Sequence, residues 1–220
     1  STEPIVIVHG GGKEITSLQA KLGIEPKYVD GLRVTDADSL ALVEMVLCGT
    51  VNKRLVRYLL NAGVDAQGLS GVDRGLVRAE KMQHADVDMG YTGTIISVRS
   101  EIIQQMLADG ITPVIAPVSV GVDSNFNVNA DPVTGALAGA IGAEKVIFIS
   151  NVEGVLINNT RVETLVSAQV MSYIEDGTIY GGMIPKVQTA LDTLTAGIPK
   201  VAITNLDGLL THGGTAFVQS

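Results

Sequence analysis

The residues Ile5-Val6-Ile7-Val8-His9 form an apolar run that empties into Gly10, Gly11 and Gly12 and then into a polar, helix-permissive stretch. No other feature constrains the fold as much: a strand, a turn without side chains, and the start of a helix. Bare backbone lets an oxyanion approach closely, and the N–H groups that open a helix add donors at the positive end of its dipole. Phosphate or carboxylate suits such a turn. The spacing matches neither GxGxxG nor GxxxxGK[ST], and a tight turn with no ligand uses the same residues.

Strand-like and helix-like runs then alternate almost to the end of the chain, which predicts an α/β fold with a largely parallel sheet. A chain of 220 residues, 46% hydrophobic and with 25 glycines, three Phe, five Tyr and no Trp, suits aliphatic strands joined by many short turns. Residues 12–22 read as a helix. Residues 36–60 read as one or two more, with Thr35 or Asp36 as N-cap and Gly63 as the stop. Residues 66–69 form a short strand, and the alternating runs between Val72 and Val98 predict antiparallel hairpins. A helix over 100–108 takes Ser100 as its cap, and 112–116 is a buried strand despite Pro113. Asp131 is placed as the cap of a helix starting at Pro132. A strand over 145–150, a turn over 151–154 and a helix over 167–175 follow. From Met183 the apolar positions Val187, Ala190, Leu191 and Leu194 describe one helical face, and 199–203 is a late strand.

A net charge of −8 and a pI near 4.8 provide no broad basic field, so neither nucleic acid nor an anionic membrane is an expected partner. No apolar stretch approaches the roughly 18 to 20 residues that span a bilayer, and the amino terminus has no signal-type core. Cys48 is the sole cysteine and reads as a buried thiol in a reducing compartment, which places the protein in the cytoplasm.

Six segments taken in order point further. They are His9-Gly10-Gly11-Gly12; Asp30-Gly31-Leu32-Arg33-Val34-Thr35-Asp36; Gly68-Leu69-Ser70-Gly71; Asn127-Val128-Asn129-Ala130-Asp131; Ser150-Asn151-Val152-Glu153-Gly154-Val155-Leu156; and Gly181-Gly182-Met183-Ile184-Pro185-Lys186-Val187. In these the chain resembles the amino-acid kinase family, and within it the N-acetylglutamate kinases, over nearly its whole length. The resemblance implies a three-layer αβα sandwich with a central, mainly parallel sheet of about eight strands. It implies a single kinase domain, with residues up to about 142 binding an acyl amino acid and 143–220 binding the nucleotide. The implied reaction moves the γ-phosphoryl group of ATP to the side-chain carboxylate of N-acetyl-L-glutamate, in arginine biosynthesis. Mg2+ would be held mainly by the nucleotide's phosphates.

Phosphoryl transfer asks chiefly for positioning and for neutralisation of charge, because donor and acceptor are both anions. By resemblance, Gly11 and Gly12 contact the substrate and the transferring phosphate. Arg33 holds the substrate's α-carboxylate, for which a planar guanidinium is suited. Asn127 contacts its amino-acid portion, while Asn129 supports the turn. Asp131 organises the catalytic lysines, and Lys186 stabilises charge in the transition state. Gly10, Asn151, Val152, Glu153, Gly154, Val155, Leu156, Thr178, Ile179 and Tyr180 match positions around the nucleotide, although Asn151 stands where an aspartate is usual. Each also has a plainer reading: a surface arginine, a helix cap, a solvent-facing lysine. His9, His84 and His212 have no metal-ligand spacing.

The family normally opens with a strand carrying Lys-x-Gly-Gly, whose lysine is a second transition-state stabiliser; this sequence starts after it, and the expectation is that residues precede Ser1. The carboxy-terminal residues 210–215 lack the acidic-glycine pattern of arginine-inhibited members. An arginine-insensitive homodimer is expected, or a hexamer with an amino-terminal extension. Two alternatives stay open: a kinase for a 2-aminoadipate derivative in lysine biosynthesis, and a regulatory module that binds nucleotide or amino acid without turnover.

Overall fold

The computed structural model describes residues 3–157, 160–181, 183–211 and 213–219, so Gly182 and His212 lie outside it. The chain divides into two compact units, residues 1–133 and 134–220.

In the first unit, β1 (Ile7–Val8) leads into α1 (Gly12–Lys21), and a hairpin of β2 (Lys27–Val29) and β3 (Leu32–Val34) follows. The hairpin turns on Asp30 and Gly31, both at positive φ (49° and 78°), the signature of a two-residue primed turn. Residues 36–60 are helical as expected: α2 (Ala37–Glu44), a π-helical stretch Met45–Val51, and α3 (Asn52–Asn61). Asp36 is the cap, its carboxylate accepting from the Ser39 N–H at 2.8 Å.

Next come β4 (Ala66–Gly71), β5 (Val77–Lys81), β6 (Gly93–Val98), α4 (Ser100–Ala108), β7 (Thr112–Val120) and β8 (Asn125–Asn127). β5 and β6 are the expected antiparallel pair. β7 tolerates Pro113, which precedes the start of pairing with β1 at Val114, and it runs past the predicted end to Val120 because β5 and β8 pair with it there. Ser100 is not a cap: it is the first helical residue, Arg99 precedes it, and no side chain caps this end. β1, β4 and β5 all run parallel to β7, and β8 is antiparallel to it. Ile15, Val43, Val46, Leu47 and Val51 pack with Ala116 and Val118 of β7, a continuous aliphatic core.

Helix α5 (Ala130–Ile141) opens with a second correction. Asn129 is its cap: the Asn129 carbonyl accepts from the Val133 N–H at 3.3 Å and its Oδ1 from the Asp131 N–H at 3.2 Å. Asp131 and Pro132 therefore lie inside the first turn, where proline costs no helical bond.

The second unit holds β9 (Val146–Ile149), the short pair β10 (Leu156–Ile157) and β11 (Thr160–Arg161), β12 (Thr164–Val166), α6 (Ser167–Glu175), α7 (Met183–Thr195), β13 (Val201–Thr204), α8 (Leu206–Thr211) and β14 (Thr215–Val218). Its sheet has the order β12-β14-β13-β9, with β9 parallel to β13 and β12 parallel to β14. The predicted α7 face is present, Val187, Ala190 and Leu194 joining Val146, Leu165, Val201 and Phe217 in the core. No helix among the described residues is long and apolar enough to cross a membrane.

Candidate active site

The edge of β7 explains where chemistry can occur in the first unit. Ser119 pairs with Gly71 and Phe126, and Val120 with Arg78 and Asn125; β4 and β5 thus share one edge of β7, and β8 takes the edge that β1 occupies upstream. On that edge β1 stops opposite Ile115 and β8 stops opposite Val118. The two chains meet head to head and both turn away, leaving Ala116 and Pro117 without a strand partner there. Gly10–Gly12 leaves through this gap into α1, and Val128–Asn129 into α5. An added Cβ at Gly10 would lie 3.8 Å from the Ala130 Cβ, so the starts of two helices stand side by side. Strand ends of this kind, with helix N-termini facing them, are where α/β folds bind anions.

Gly11 is a glycine for a packing reason. Its φ of 178° is ordinary extended backbone, but a Cβ would come within 2.7 Å of Leu47 Cδ2 and 3.2 Å of Val51 Cγ2. The π-helical stretch therefore closes one side of the glycine turn. An added Cβ at Gly12 would meet nothing within 4 Å, which leaves the other side open to a ligand.

Arg33, on β3, is buried with only 8% of its surface exposed. Its Nη1 donates to Gln19 Oε1, and its Nη2 to Tyr28 Oη (2.6 Å), Thr16 Oγ1 (2.9 Å) and the Gly12 carbonyl (3.4 Å). No carboxylate pairs with it among the described residues. Burial pushes its pKa down, and Tyr28 opposes that shift. A desolvated guanidinium held only by neutral acceptors retains most of its capacity to attract a carboxylate.

Asn127, at the end of β8, is tied to the same hairpin. Its Nδ2 donates to Thr35 Oγ1 at 3.0 Å, and Thr92 Oγ1 donates to the Arg33 carbonyl at 2.6 Å. Thr35 and Thr92 are both buried, so Arg33, Thr35, Thr92 and Asn127 form one connected polar group. Asp131 is half-buried on the first turn of α5.

In the second unit, the loops after the parallel strands β9 and β13 lie together, the Ser150 N–H donating to the Thr204 carbonyl at 2.8 Å. Ser150 Oγ donates to Asn151 Oδ1 at 3.2 Å. Asn151, Glu153 and Leu156 are exposed, Val152 is half-buried, and Gly154 and Val155 are buried. Val155 uses both backbone groups internally, donating to Thr215 Oγ1 and accepting from the Val162 N–H. Ile179 is buried and donates to the Tyr173 carbonyl, Thr178 is half-buried, and Tyr180 is 76% exposed. The Tyr180 and Gly181 carbonyls accept from Met183 and Ile184 as α7 begins, and Lys186 stands half-buried on the first turn of that helix. Two open grooves, of about 360 Å³ beside Lys13 and Val46 and about 480 Å³ beside Gln188 and Gln219, contain neither Arg33 nor Lys186.

The family model described as the amino acid kinase family matches residues 1–205. The chain belongs to the amino acid kinase family. Among similar proteins is the acetylglutamate kinase of Roseiflexus castenholzii, 52% identical over 207 residues, covering 94% of this chain and 80% of the relative. The solved structure of smu.665 from Streptococcus mutans superposes with a TM-score of 0.87 at 35% identity, over 97% of this chain and 85% of that one. A carbamate kinase from Giardia lamblia bound to AMP-PNP, at 15% identity and a TM-score of 0.66 over 98% of this chain and 83% of its own, shares the fold.

Within this amino acid kinase fold the structure brings Gly12, Arg33 and Asn127 into one hydrogen-bonded neighbourhood and sets Gly10 beside the start of α5. Lys186, Thr178–Tyr180 and Asn151–Leu156 belong to the second unit. Sequence reasoning missed the residues that hold Arg33 and its neighbours, Thr16, Gln19, Tyr28 and Thr92, and in the second unit Asn205, whose Oδ1 caps α8 by accepting from the Gly208 N–H at 2.7 Å. Gln19 had a readable signal, a polar side chain four residues after Ile15 on the buried face of α1.

Proposed function

We propose that this chain transfers the γ-phosphoryl group of ATP to the side-chain carboxylate of N-acetyl-L-glutamate, giving an acyl phosphate and ADP in arginine biosynthesis. The buried Arg33, with neutral acceptors around it and no carboxylate of its own, is the observation that carries this reading. The acetylglutamate kinases that resemble the chain support the choice of acceptor.

We assign the acceptor to the first unit and the nucleotide to the second. Arg33 takes the α-carboxylate and the Asn127 amide the amino-acid portion. The reacting carboxylate is ionised at neutral pH, so no base has to remove a proton. Its oxygen attacks the γ-phosphorus, and the bond to the β-phosphate oxygen breaks as ADP leaves. The N–H groups of Gly11 and Gly12 meet the negative charge on the reacting oxygens, Lys186 neutralises charge on the transferring group, and Asp131 orders the cations of the reaction. Of the nucleotide positions, Asn151, Glu153, Leu156 and Tyr180 offer exposed side chains, Tyr180 a ring face. Gly10 leaves room for the phosphates, and Val152, Gly154, Val155, Thr178 and Ile179 shape the loops. We propose that magnesium enters on the nucleotide phosphates, as the resemblance to the family implies.

Hydroxylamine trapping tests the reaction. Full-length protein with ATP and N-acetyl-L-glutamate should form a hydroxamate and equimolar ADP, with far less from N-acetyl-2-aminoadipate. Nucleotide binding without hydroxamate, or preference for the aminoadipate derivative, would overturn the reading.

A further inference from the structure

Beneath the glycine turn lies a buried polar relay for which the reaction above has no stated use. His9 is 8% and Asn52 1% exposed. The His9 Nδ1 lies 3.0 Å from the Gly10 carbonyl and its Nε2 3.1 Å from Asn52 Nδ2. A carbonyl can only accept, so Nδ1 carries the proton; an amide nitrogen can only donate, so Nε2 is bare. The orientation of the Asn52 amide is fixed independently. Its Nδ2 also donates to the Val114 carbonyl (2.9 Å) and, more weakly, to that of Leu69 (3.3 Å), and its Oδ1 accepts from Lys53 Nζ (3.1 Å). Strands β4 and β7 thereby set Asn52, and Asn52 sets the tautomer of His9.

The consequence reaches the site through one peptide plane. The Gly10–Gly11 peptide is trans, as no described peptide is cis, and in a trans peptide the C=O and the following N–H point in opposite directions. By holding the Gly10 carbonyl, His9 turns the Gly11 N–H away from the core, and among the described residues that N–H meets no acceptor. The motif glycine Gly68 belongs to the same device, because a Cβ there would collide with Asn52 Oδ1 and stand 2.7 Å from Lys53 Nζ.

We propose that Asn52 and His9 are positioning residues that aim the Gly11 N–H at the anionic oxygen of the reacting group. This rests on the phosphoryl-transfer reading and adds to it the machinery that orients one of its donors. His9→Asn keeps an amide N–H near the position of Nδ1, whereas His9→Phe keeps the bulk without the donor. Misaiming a transition-state donor costs rate more than ground-state binding. His9→Phe should therefore lose about tenfold or more in kcat with its KM for N-acetylglutamate within about threefold of wild type, and His9→Asn should recover most of that loss. Gly68→Ala should resemble His9→Phe. Purely structural residues would instead lower the melting temperature while leaving kcat per folded molecule unchanged, and that result, or equal losses in Phe and Asn, would overturn the inference. Ring-nitrogen NMR of wild-type protein near pH 7.5 provides a readout independent of turnover. A protonated Nδ1 with a bare Nε2 supports the relay, and the opposite tautomer or an imidazolium overturns it. Wild-type protein that shows the expected tautomer but traps no hydroxamate would overturn the functional reading and leave the relay standing.

Discussion

The Arg33 guanidinium carbon stands 4.9 Å from the centre of the Tyr28 ring while Nη2 donates to the Tyr28 hydroxyl at 2.6 Å. One residue of the hairpin thus fixes the charge of another, five positions on, by its ring and by its oxygen. Tyr28→Phe removes only the oxygen. Because a hydrogen bond of this type contributes about 0.5–1.5 kcal/mol net, the KM for N-acetylglutamate should rise about two- to tenfold with kcat little changed. Steady-state kinetics at saturating ATP would check this, and an unchanged KM would remove Tyr28 from the site.

In the proposed reaction the Lys186 ammonium acts on charge that develops in the transition state, so Lys186→Met should lower kcat by about 100- to 1,000-fold and leave the acceptor KM nearly constant. Single-turnover measurement of acyl phosphate would separate this from slow product release.

Burial lowers the pKa of His9 below its ordinary 6.5; the Gly10 carbonyl and Glu14 oppose the shift and Arg54 assists it. Below that ordinary value the unfolded chain takes up a proton that the folded chain refuses, so stability should fall as pH drops from about 6.5 through the folded pKa and level off beneath it. Glu14 and Arg54 pair at 2.6 Å beside this histidine, and Lys53 bonds Asn52. Urea unfolding between pH 5 and 8 should show a shallower slope for His9→Asn than for wild type.

Cys48 sits on the π-helical stretch, where burial and then the charges of Glu44 and Asp73 raise its thiol to about 11. The thiolate is the reactive form. Alkylation of the native protein at pH 8 should therefore be slow and should accelerate sharply in denaturant.

The elements legible in the sequence were those fixed by neighbours in the chain. The helix cap offered as Thr35 or Asp36, which the structure gives to Asp36, Gly63 ending α3, and the apolar spacing of Val187, Ala190 and Leu194 all express local rules, and all appear in the structure. The Asp30–Gly31 turn is equally local, an Asp-Gly pair at positive φ that closes the β2–β3 hairpin. Asn129 displaced Asp131 as a cap because both residue types serve there, and only the backbone decides which carbonyl starts the helix. The π-helical stretch had no local signature, since Leu47 and Val51 gain their meaning from Gly11, some forty residues earlier. Distance in sequence likewise hid Thr92 and Asn52, whose partners Arg33 and His9 lie 59 and 43 residues away, whereas Gln19 and Tyr28 lie only 14 and 5 residues from Arg33 and meet it from other elements; Arg33 and Lys186 stood out by resemblance.

The proposed grip of Arg33 on the acceptor's α-carboxylate is tested most directly by comparing N-acetyl-L-glutamate with its α-carboxamide analogue. In wild-type protein kcat/KM should favour the carboxylate by about 100-fold or more, and in Arg33→Gln the ratio should collapse towards one. A preference that survives the substitution intact would contradict the assignment, because the carboxylate would then be recognised elsewhere.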